Sequence, residues 1–318
     1  MIGDKILEKV RQLMNDGKAN RVFGWKQGEF FYDAEPALFT EDFGKFIYGG
    51  FCSANLCKYM INESKNDGKI ILLTKPCDSR GLELLTKEHR VKRENIYALG
   101  IPCGGKIDID KIRNFGIKGV VSAEEKENEI VVHTLYGEKT VERKSVLLDK
   151  CLACQSKEHI NCDEVIFSDL SEETAEGDKF SGVRELENKT SEERFEFWRN
   201  ELSKCIRCNS CRNVCPACSC VKCVFDNDNS CVASKANADD FEENLFHIIR
   251  AFHVCGRCID CGECSRVCPQ KIPLHLLNRK YIKDINEFYG GGDEAALLTF
   301  DKDDPEPSAA NERGGKNV

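Results

Sequence analysis

The chain has 318 residues, 41% of them hydrophobic, which is enough for two domains with cores of ordinary size. A formal charge of −8 makes nucleic acid and anionic membrane poor partners, and no stretch is long and apolar enough to span a bilayer. Twenty cysteines, with no basic-then-apolar leader at Met1, argue against a secreted disulfide scaffold and for metal in a reducing, cytoplasmic and anaerobic setting.

The first half reads as α/β. Residues 69–74 (Lys-Ile-Ile-Leu-Leu-Thr) are an apolar run after Gly68 and predict a buried strand. Residues 79–87 follow with helical character, with Ser79 placed to cap them. Residues 96–101 predict a second apolar strand. Strand, helix and strand within about thirty residues make a βαβ unit, so the two strands are expected to be parallel with a right-handed crossover. Residues 130–135 and 140–143 flank Gly137 and predict a hairpin, and residues 145–148 one more strand.

Residues 168–189 are polar and charge-rich and read as a connector. Thr190-Ser-Glu-Glu193 then forms a capping-box pattern. The helix it opens is expected to carry Phe195, Trp198 and Leu202 on one face and to run into Cys205. Phe241, Leu245, Ile248, Ile249 and Phe252 predict a helical core stripe. Leu274, Leu277, Tyr281, Ile285 and Phe288 predict another. The expected architecture is therefore an α+β two-domain chain. An N-terminal α/β domain with a partly parallel sheet spans 1–167, the connector spans 168–189, and a helical domain spans 190–290, which with its cysteine runs at 205–215 and 258–268 resembles the alpha-helical ferredoxin type. The polar tail 291–318 is expected to be disordered.

The strongest motif is a repeat. Cys205-Ile-Arg-Cys208-Asn-Ser-Cys211-Arg-Asn-Val-Cys215-Pro216 recurs as Cys258-Ile-Asp-Cys261-Gly-Glu-Cys264-Ser-Arg-Val-Cys268-Pro269. Both fit the C-x₂-C-x₂-C-x₃-C-P run that holds [4Fe–4S] clusters. Steps of three residues let three sulfurs converge from one loop, and the proline redirects the chain. In two-cluster ferredoxins the fourth cysteine of each run ligates the other cluster. By that analogy one cluster takes Cys205, Cys208, Cys211 and Cys268, and the other takes Cys258, Cys261, Cys264 and Cys215. Structural zinc also uses C-x₂-C pairs but gives no reason for a doubled C-x₃-C-P. Cys255, three residues before Cys258, leaves an alternative register in the second run. Cys258 is preferred because the Cys-Pro step then falls at the right distance.

A further metal site is expected in the first half. Cys77 and Cys103 each follow a predicted parallel strand, where open α/β sheets gather ligands, and Cys151-Leu-Ala-Cys154 adds a C-x₂-C pair. Together these four make a third [4Fe–4S] set, near a helix start expected at Asp78-Ser79 whose dipole favours anionic thiolates. Alternatives are a zinc ion, Cys162 in place of one ligand, or Cys77 and Cys103 as small buried side chains. Cys52 and Cys57 read as packing residues. Cys218, Cys220, Cys223, Cys231 and Cys255 leave open a fourth cluster, protection of the other two, or no ligand at all. His253 reads as a cap or surface residue rather than a ligand. Arg207, Arg212, Arg257 and Arg266 either donate to the clusters or form a solvated face. No Ser-His-Asp or Cys-His nucleophile stands out.

Lys75-Pro-Cys-Asp-Ser-Arg80, Lys92-Arg-Glu-Asn-Ile-Tyr97, Gly100-Ile-Pro-Cys103 and Cys151-x₂-Cys154 with Asp163 behind resemble the beta-subunit family of coenzyme F420 hydrogenase and dehydrogenase. The chain is most similar to relatives of that family fused to a C-terminal dicluster ferredoxin, over residues 45–290. The resemblance implies an iron–sulfur electron-transfer subunit, working with other redox subunits of a hydrogenase, formate dehydrogenase or heterodisulfide-reductase-like complex. Two features depart from the F420-reducing members. There is no early ferredoxin-like cysteine run, and no G-x-G-x-x-G follows a strand, only Gly49-Gly50, which reads as a turn. The family's FAD is therefore left open. The rival reading is a flavin-containing, F420- or NAD(P)-linked subunit with its own substrate site.

Overall fold

The computed structural model describes residues 2–154, 158–166, 178–226 and 240–289, with only the backbone of Asp240. The expected tail from 291, residues 168–177 of the expected connector and Cys231 lie outside the described residues, and the rest of the connector includes a helix at Ser181–Glu187. The chain forms two compact units. One contains residues up to Leu82 and from Val91 to Lys179; the other contains Glu83–Arg90 and the chain from Phe180 onward. The architecture is α+β, as the sequence predicts.

In chain order the first unit comprises α1 (Ile2–Asn15), β1 (Arg21–Gln27), β2 (Ala34–Phe39), β3 (Phe46–Ile47), α2 (Met60–Glu63), β4 (Ile70–Thr74) and the start of α3 (Pro76–Lys87). It continues with β5 (Ile96–Gly100), α4 (Ile109–Asn114), β6 (Val120–Glu125), β7 (Glu129–Thr134), β8 (Gly137–Glu142), α5 (Asp149–Leu152) and β9 (Glu164–Val165). The main sheet runs β2-β1-β4-β5-β9, with β3 paired to β1. Its β1–β4, β4–β5 and β5–β9 ladders are parallel, while β2 and β3 pair antiparallel with β1. All five residues of β4 are buried, which is why its sequence is a continuous apolar run rather than an alternation. The predicted hairpin is β7–β8, which β6 extends to a three-stranded antiparallel sheet over Ile112, Ile130, Val132 and Val146.

Two local expectations are corrected. Residues 145–148 are not a strand: Lys144–Val146 form a 3₁₀ turn, and Leu147 makes only an isolated bridge to Ile107 before α5 begins. Helix α3 begins at Pro76, ahead of the expected Asp78-Ser79 start. Proline suits the first helical position, where its missing N–H loses nothing. The Asp78 carboxylate accepts the Lys75 backbone N–H, so it does the capping, while Ser79 lies inside the helix and donates to the Pro76 carbonyl.

The second unit is helical. It comprises the end of α3, α6 (Ser181–Glu187), α7 (Ser191–Leu202), α8 (Ser210–Asn213), α9 (Asp240–Val254), α10 (Glu263–Arg266) and α11 (Leu274–Tyr289). The predicted capping box is present: Thr190 Oγ1 accepts the Glu193 N–H, and Glu193 accepts the Thr190 N–H. Trp198 and Leu202 face inward beside the cysteines, but Phe195 is exposed.

The stripe predicted on α9 points the wrong way. Phe241, Ile248 and Phe252 are exposed, while Glu243, Phe246, His247, Arg250, Ala251 and Val254 are buried. Helix α11 behaves in part the same way. Leu274 and Ile285 are buried, but so are Asn278, Arg279 and Lys283, and Phe288 is exposed. The reason is that both helices turn toward cysteine loops rather than toward an apolar core, so their inner faces carry groups that match thiolates and backbone.

Candidate metal centres

The two cysteine runs have the same backbone. In each, the residue before the second cysteine is left-handed: Arg207 at φ 53° and Asp260 at φ 52°. So is the residue after it: Asn209 at φ 61° and Gly262 at φ 64°. Each run then closes in one short helical turn, α8 or α10, and the two turns pack together. Left-handed backbone costs a side chain about 1–2 kcal/mol, so glycine or asparagine is favoured there. Arg207 and Asp260 are held by ion pairs instead. Arg207 Nε donates to both carboxylate oxygens of Glu243 on α9 at 2.9 and 2.7 Å. Asp260 Oδ1 accepts from Arg279 Nε on α11 at 2.7 Å. Each long helix thus clamps one loop through the same loop position, with the charges exchanged.

The structure brings the cysteines of the two runs together in a crossed pattern. Cys205, Cys208 and Cys211 of the first run and Cys268, the last cysteine of the second, line one cavity of about 330 Å³, counting its open mouth, with Arg207, Phe246 and His247 in its wall. Cys211, Cys264, Cys205 and Cys268 also share one packed cluster with Leu202, Ile272 and Leu274. On the other side, Cys215 and Cys261 pack with Cys218 around Ala217, Val254 and Ile259. The Cys258 thiol is pushed up by burial, then by neighbouring Asp260, Cys215 and Cys264. Burial pushes Cys205 and Cys264 up to about 12. Such thiols ionise readily only when a cation replaces the proton, so the donor set fits a metal cluster. Cys208 and Cys215 depart from these: the hydrogen bond from the Ser210 side chain foremost lowers Cys208, and a hydrogen bond from Cys218 and the nearby Arg250 guanidinium hold Cys215 down at about 5.

Sequence reasoning missed the polar residues around these loops. Arg250 is buried, donates to the Cys211 carbonyl, and acts electrostatically on Cys215, Cys218, Cys264 and Cys211. Asn278 Nδ2 lies 3.7 Å from Cys264 Sγ. His247 is 2% exposed and neither ring nitrogen has a partner. A ring nitrogen of His247, Cys205 Sγ and a Glu243 carboxylate oxygen lie within 4.8 Å of one another. No spacing rule marks these positions, because they sit among apolar residues of helices whose visible stripe faces outward. The four arginines of the runs are all paired with carboxylates: Arg207 with Glu243, Arg212 with Asp226, Arg257 with Glu88 and Arg266 with Glu263. They hold loops in place rather than presenting a uniform solvated face. His253 is exposed at the end of α9.

In the first unit, Cys77 sits in the opening turn of α3, Cys103 follows β5, and Cys151 and Cys154 belong to α5 and the residues after it. Cys103 acts electrostatically on both Cys77 and Cys151, and Cys154 acts on Cys151, so the four gather at the carboxyl ends of β4 and β5. Three buried lysines lie close by; of these only Lys75 falls in a sequence motif, Lys75-Pro-Cys-Asp-Ser-Arg80, and nothing in that motif marks it as buried. Lys75 Nζ pairs with Asp78 at 2.7 Å, donates to the Ala54 carbonyl and lies 4.2 Å from the Trp25 ring. Lys106 Nζ donates to the Gly49 carbonyl and lies 4.1 Å from the Tyr48 ring. Lys150 Nζ donates to the Ser53 carbonyl and opposes the burial that raises Cys77 and Cys151. Cys162, pushed up to about 12 by burial, faces Arg93, Asp163 and Asp78 instead. Cys52 and Cys57 are fully buried. Gly49-Gly50 forms a turn whose Gly50 N–H is taken by the Glu125 carboxylate, and a Cβ on Gly50 would meet Ile107 at 2.4 Å.

Cysteine loops of this kind, with the oxidoreductase and ferredoxin relatives below, fit iron–sulfur electron transport. No family model matches the chain. It is 24% identical over 341 aligned positions to the F420-dependent formate dehydrogenase subunit beta of Methanocaldococcus jannaschii, covering 88% of this chain and 89% of that protein. It is 26% identical to F420-dependent formate dehydrogenase 1 subunit beta of Methanococcus maripaludis, over 71% of this chain and 74% of that one. A 73-residue stretch is 34% identical to putative ferredoxin-3 of Sinorhizobium fredii, 70% of whose length it covers. Among solved structures, the F420-reducing [NiFe] hydrogenase complex of Methanosarcina barkeri aligns at 14% identity with a TM-score of 0.34, over 45% of this chain and 55% of that one. The chain is thus similar, over most of its length, to beta subunits of F420-dependent formate dehydrogenases and, over a shorter stretch, to a ferredoxin. Among the described residues no helix is long and apolar enough to cross a membrane.

Proposed function

We propose that this chain relays single electrons between redox subunits of an F420-linked oxidoreductase complex, of the formate dehydrogenase, hydrogenase or heterodisulfide-reductase-like kind. Three cysteine sets would hold [4Fe–4S] clusters. They are Cys205, Cys208, Cys211 and Cys268; Cys258, Cys261, Cys264 and Cys215; and Cys77, Cys103, Cys151 and Cys154. When bound, such clusters supply reversible one-electron capacity. The protein's own part is to hold thiolates in fixed loops, neutralise their charge and exclude water.

The observation that carries the reading is the crossed cavity, in which the last cysteine of one run joins the first three of the other. A pair of separate zinc knuckles would keep each run's four cysteines together. In the first unit the buried Lys75 and Lys150, which act electrostatically on Cys77 and, for Lys150, on Cys151, support the third cluster, since a cubane with four thiolates is an anion. The closed Gly49-Gly50 turn offers no phosphate cradle, so nothing in that loop favours FAD. A yellow chromophore remaining after iron removal would revive the flavin reading.

The test is a pair of variants studied anaerobically. Cys268→Ser should perturb the paramagnetic signal of the cluster built on Cys205, Cys208 and Cys211, while Cys215→Ser perturbs the other signal. If each substitution instead disturbs the cluster of its own run, the crossed assignment is wrong.

A further inference from the structure

We infer that His247 is a positioning residue that donates an imidazole N–H to a sulfur of the cluster held by Cys205, Cys208, Cys211 and Cys268, and so raises the midpoint of that cluster. The inference rests on the dicluster reading above.

Four observations place it. His247 lines the cavity that those four cysteines line. It is buried on the inner face of α9, with both nitrogens unpartnered. A buried imidazole without a partner is unfavourable, and nearly all such groups find one. A ring nitrogen lies within 4.8 Å of Cys205 Sγ.

The surroundings exclude the simpler roles. Glu243, the one carboxylate among the described residues grouped with His247 and Cys205 within that distance, is engaged by Arg207 through both of its oxygens. It is therefore not free to complete a mononuclear Cys–Glu–His ion site. Four cysteines already supply a full cubane ligand set, so the imidazole is not needed on iron. The ring packs against Phe246, at 5.0 Å between centroids and 80° between planes, and the Arg207 guanidinium lies 4.2 Å from the centre of that Phe246 ring. The imidazole is thus held in position by packing rather than by hydrogen bonds.

The second set has a different donor, on a different cysteine of its run. There α11 supplies Asn278, whose amide reaches Cys264 Sγ, just as α11 supplies Arg279 to clamp Asp260. Helix α9 supplies His247 beside Glu243, which clamps Arg207. The two halves of the repeat thus share a scaffold but differ in the group offered to sulfur. A hydrogen bond to a cluster sulfur stabilises the more negative, reduced state. Each donor therefore raises the midpoint of the cluster whose sulfur it reaches.

Anaerobic protein labelled with ¹⁵N-histidine, examined by pulsed EPR after one-electron reduction, tests this directly. The expected result is a weak nitrogen coupling in the signal of one cluster, lost in both His247→Leu and His247→Gln. The midpoint of that cluster alone should fall in His247→Leu by about tenfold in its reduction equilibrium, about 59 mV for one electron. His247→Gln, which keeps an N–H, should recover part of the shift. A coupling strong enough for iron ligation, no coupling at all, or equal shifts of both clusters would overturn the inference. Iron and sulfide counts on the same samples separate this from failure of the dicluster itself. If His247→Leu loses iron, the wild-type coupling and His247→Gln still decide.

Discussion

The buried Lys75–Asp78 pair shows how much of the first cysteine site rests on single side chains. Both are essentially inaccessible, and Asp78 also accepts the Leu56 and Lys75 backbone N–H groups. Removing one partner leaves the other charged and unpaired, a loss of about 3–5 kcal/mol. Asp78→Asn is therefore expected to lower the denaturation midpoint sharply and to loosen Cys77, which a drop in iron per chain would report. At the left-handed positions the expectation is milder. Gly262→Ala adds a side chain at φ 64° and should cost about 1–2 kcal/mol, read as a lower thermal midpoint. The cysteines themselves were legible from spacing alone. The groups that serve them, Lys75, Lys106, Lys150, His247 and Arg250, were not, because a buried charge is recognisable only once its partner is known.

At the scale of elements, the capping box on α7 is the clearest local instruction in the sequence. Thr190→Ala should destabilise that helix by about 1 kcal/mol, seen as faster amide exchange in its first turn. Helix α6 is tied to α11 by charge. Glu187 pairs with Lys280 at 2.8 Å and with Lys283 at 3.2 Å, and the hydrogen bond from Lys280 foremost holds its carboxyl below the usual range. A lowered carboxyl contributes stability above its unfolded value of about 4.3, and that contribution is lost as pH falls through the folded value. The exchange protection that wild type shows over Glu187→Gln in α6 should therefore be present near neutrality and vanish in acid below about pH 4. Strands β4 and β5 and the β7–β8 hairpin could be read in advance because their apolar runs are bounded by turns. The face of α9 could not, because periodicity marks an apolar stripe without saying which side the fold buries. Here Phe241, Ile248 and Phe252 are left outside and Glu243, His247 and Arg250 turn inward.

For the molecule as a whole, the two units have different logic. The first is a mixed sheet that gathers Cys77, Cys103, Cys151 and Cys154 at the carboxyl ends of parallel strands. The second is a duplicated cysteine loop clamped by α9 and α11. Both the α+β division and the duplication were visible in the cysteine spacing and the βαβ pattern. The assignment of Glu83–Arg90 to the second unit was not, since α3 reads as one helix and nothing local marks where its packing changes. The account stands on the doubled loop holding a coupled pair of clusters. Anaerobic purification followed by iron and sulfide analysis and EPR of the reduced protein tests it most directly. The account predicts at least about eight iron and eight sulfide per chain, with spin–spin interaction between two reduced [4Fe–4S] centres. Protein that carries zinc instead, or that shows no reducible paramagnetic centre, would contradict it.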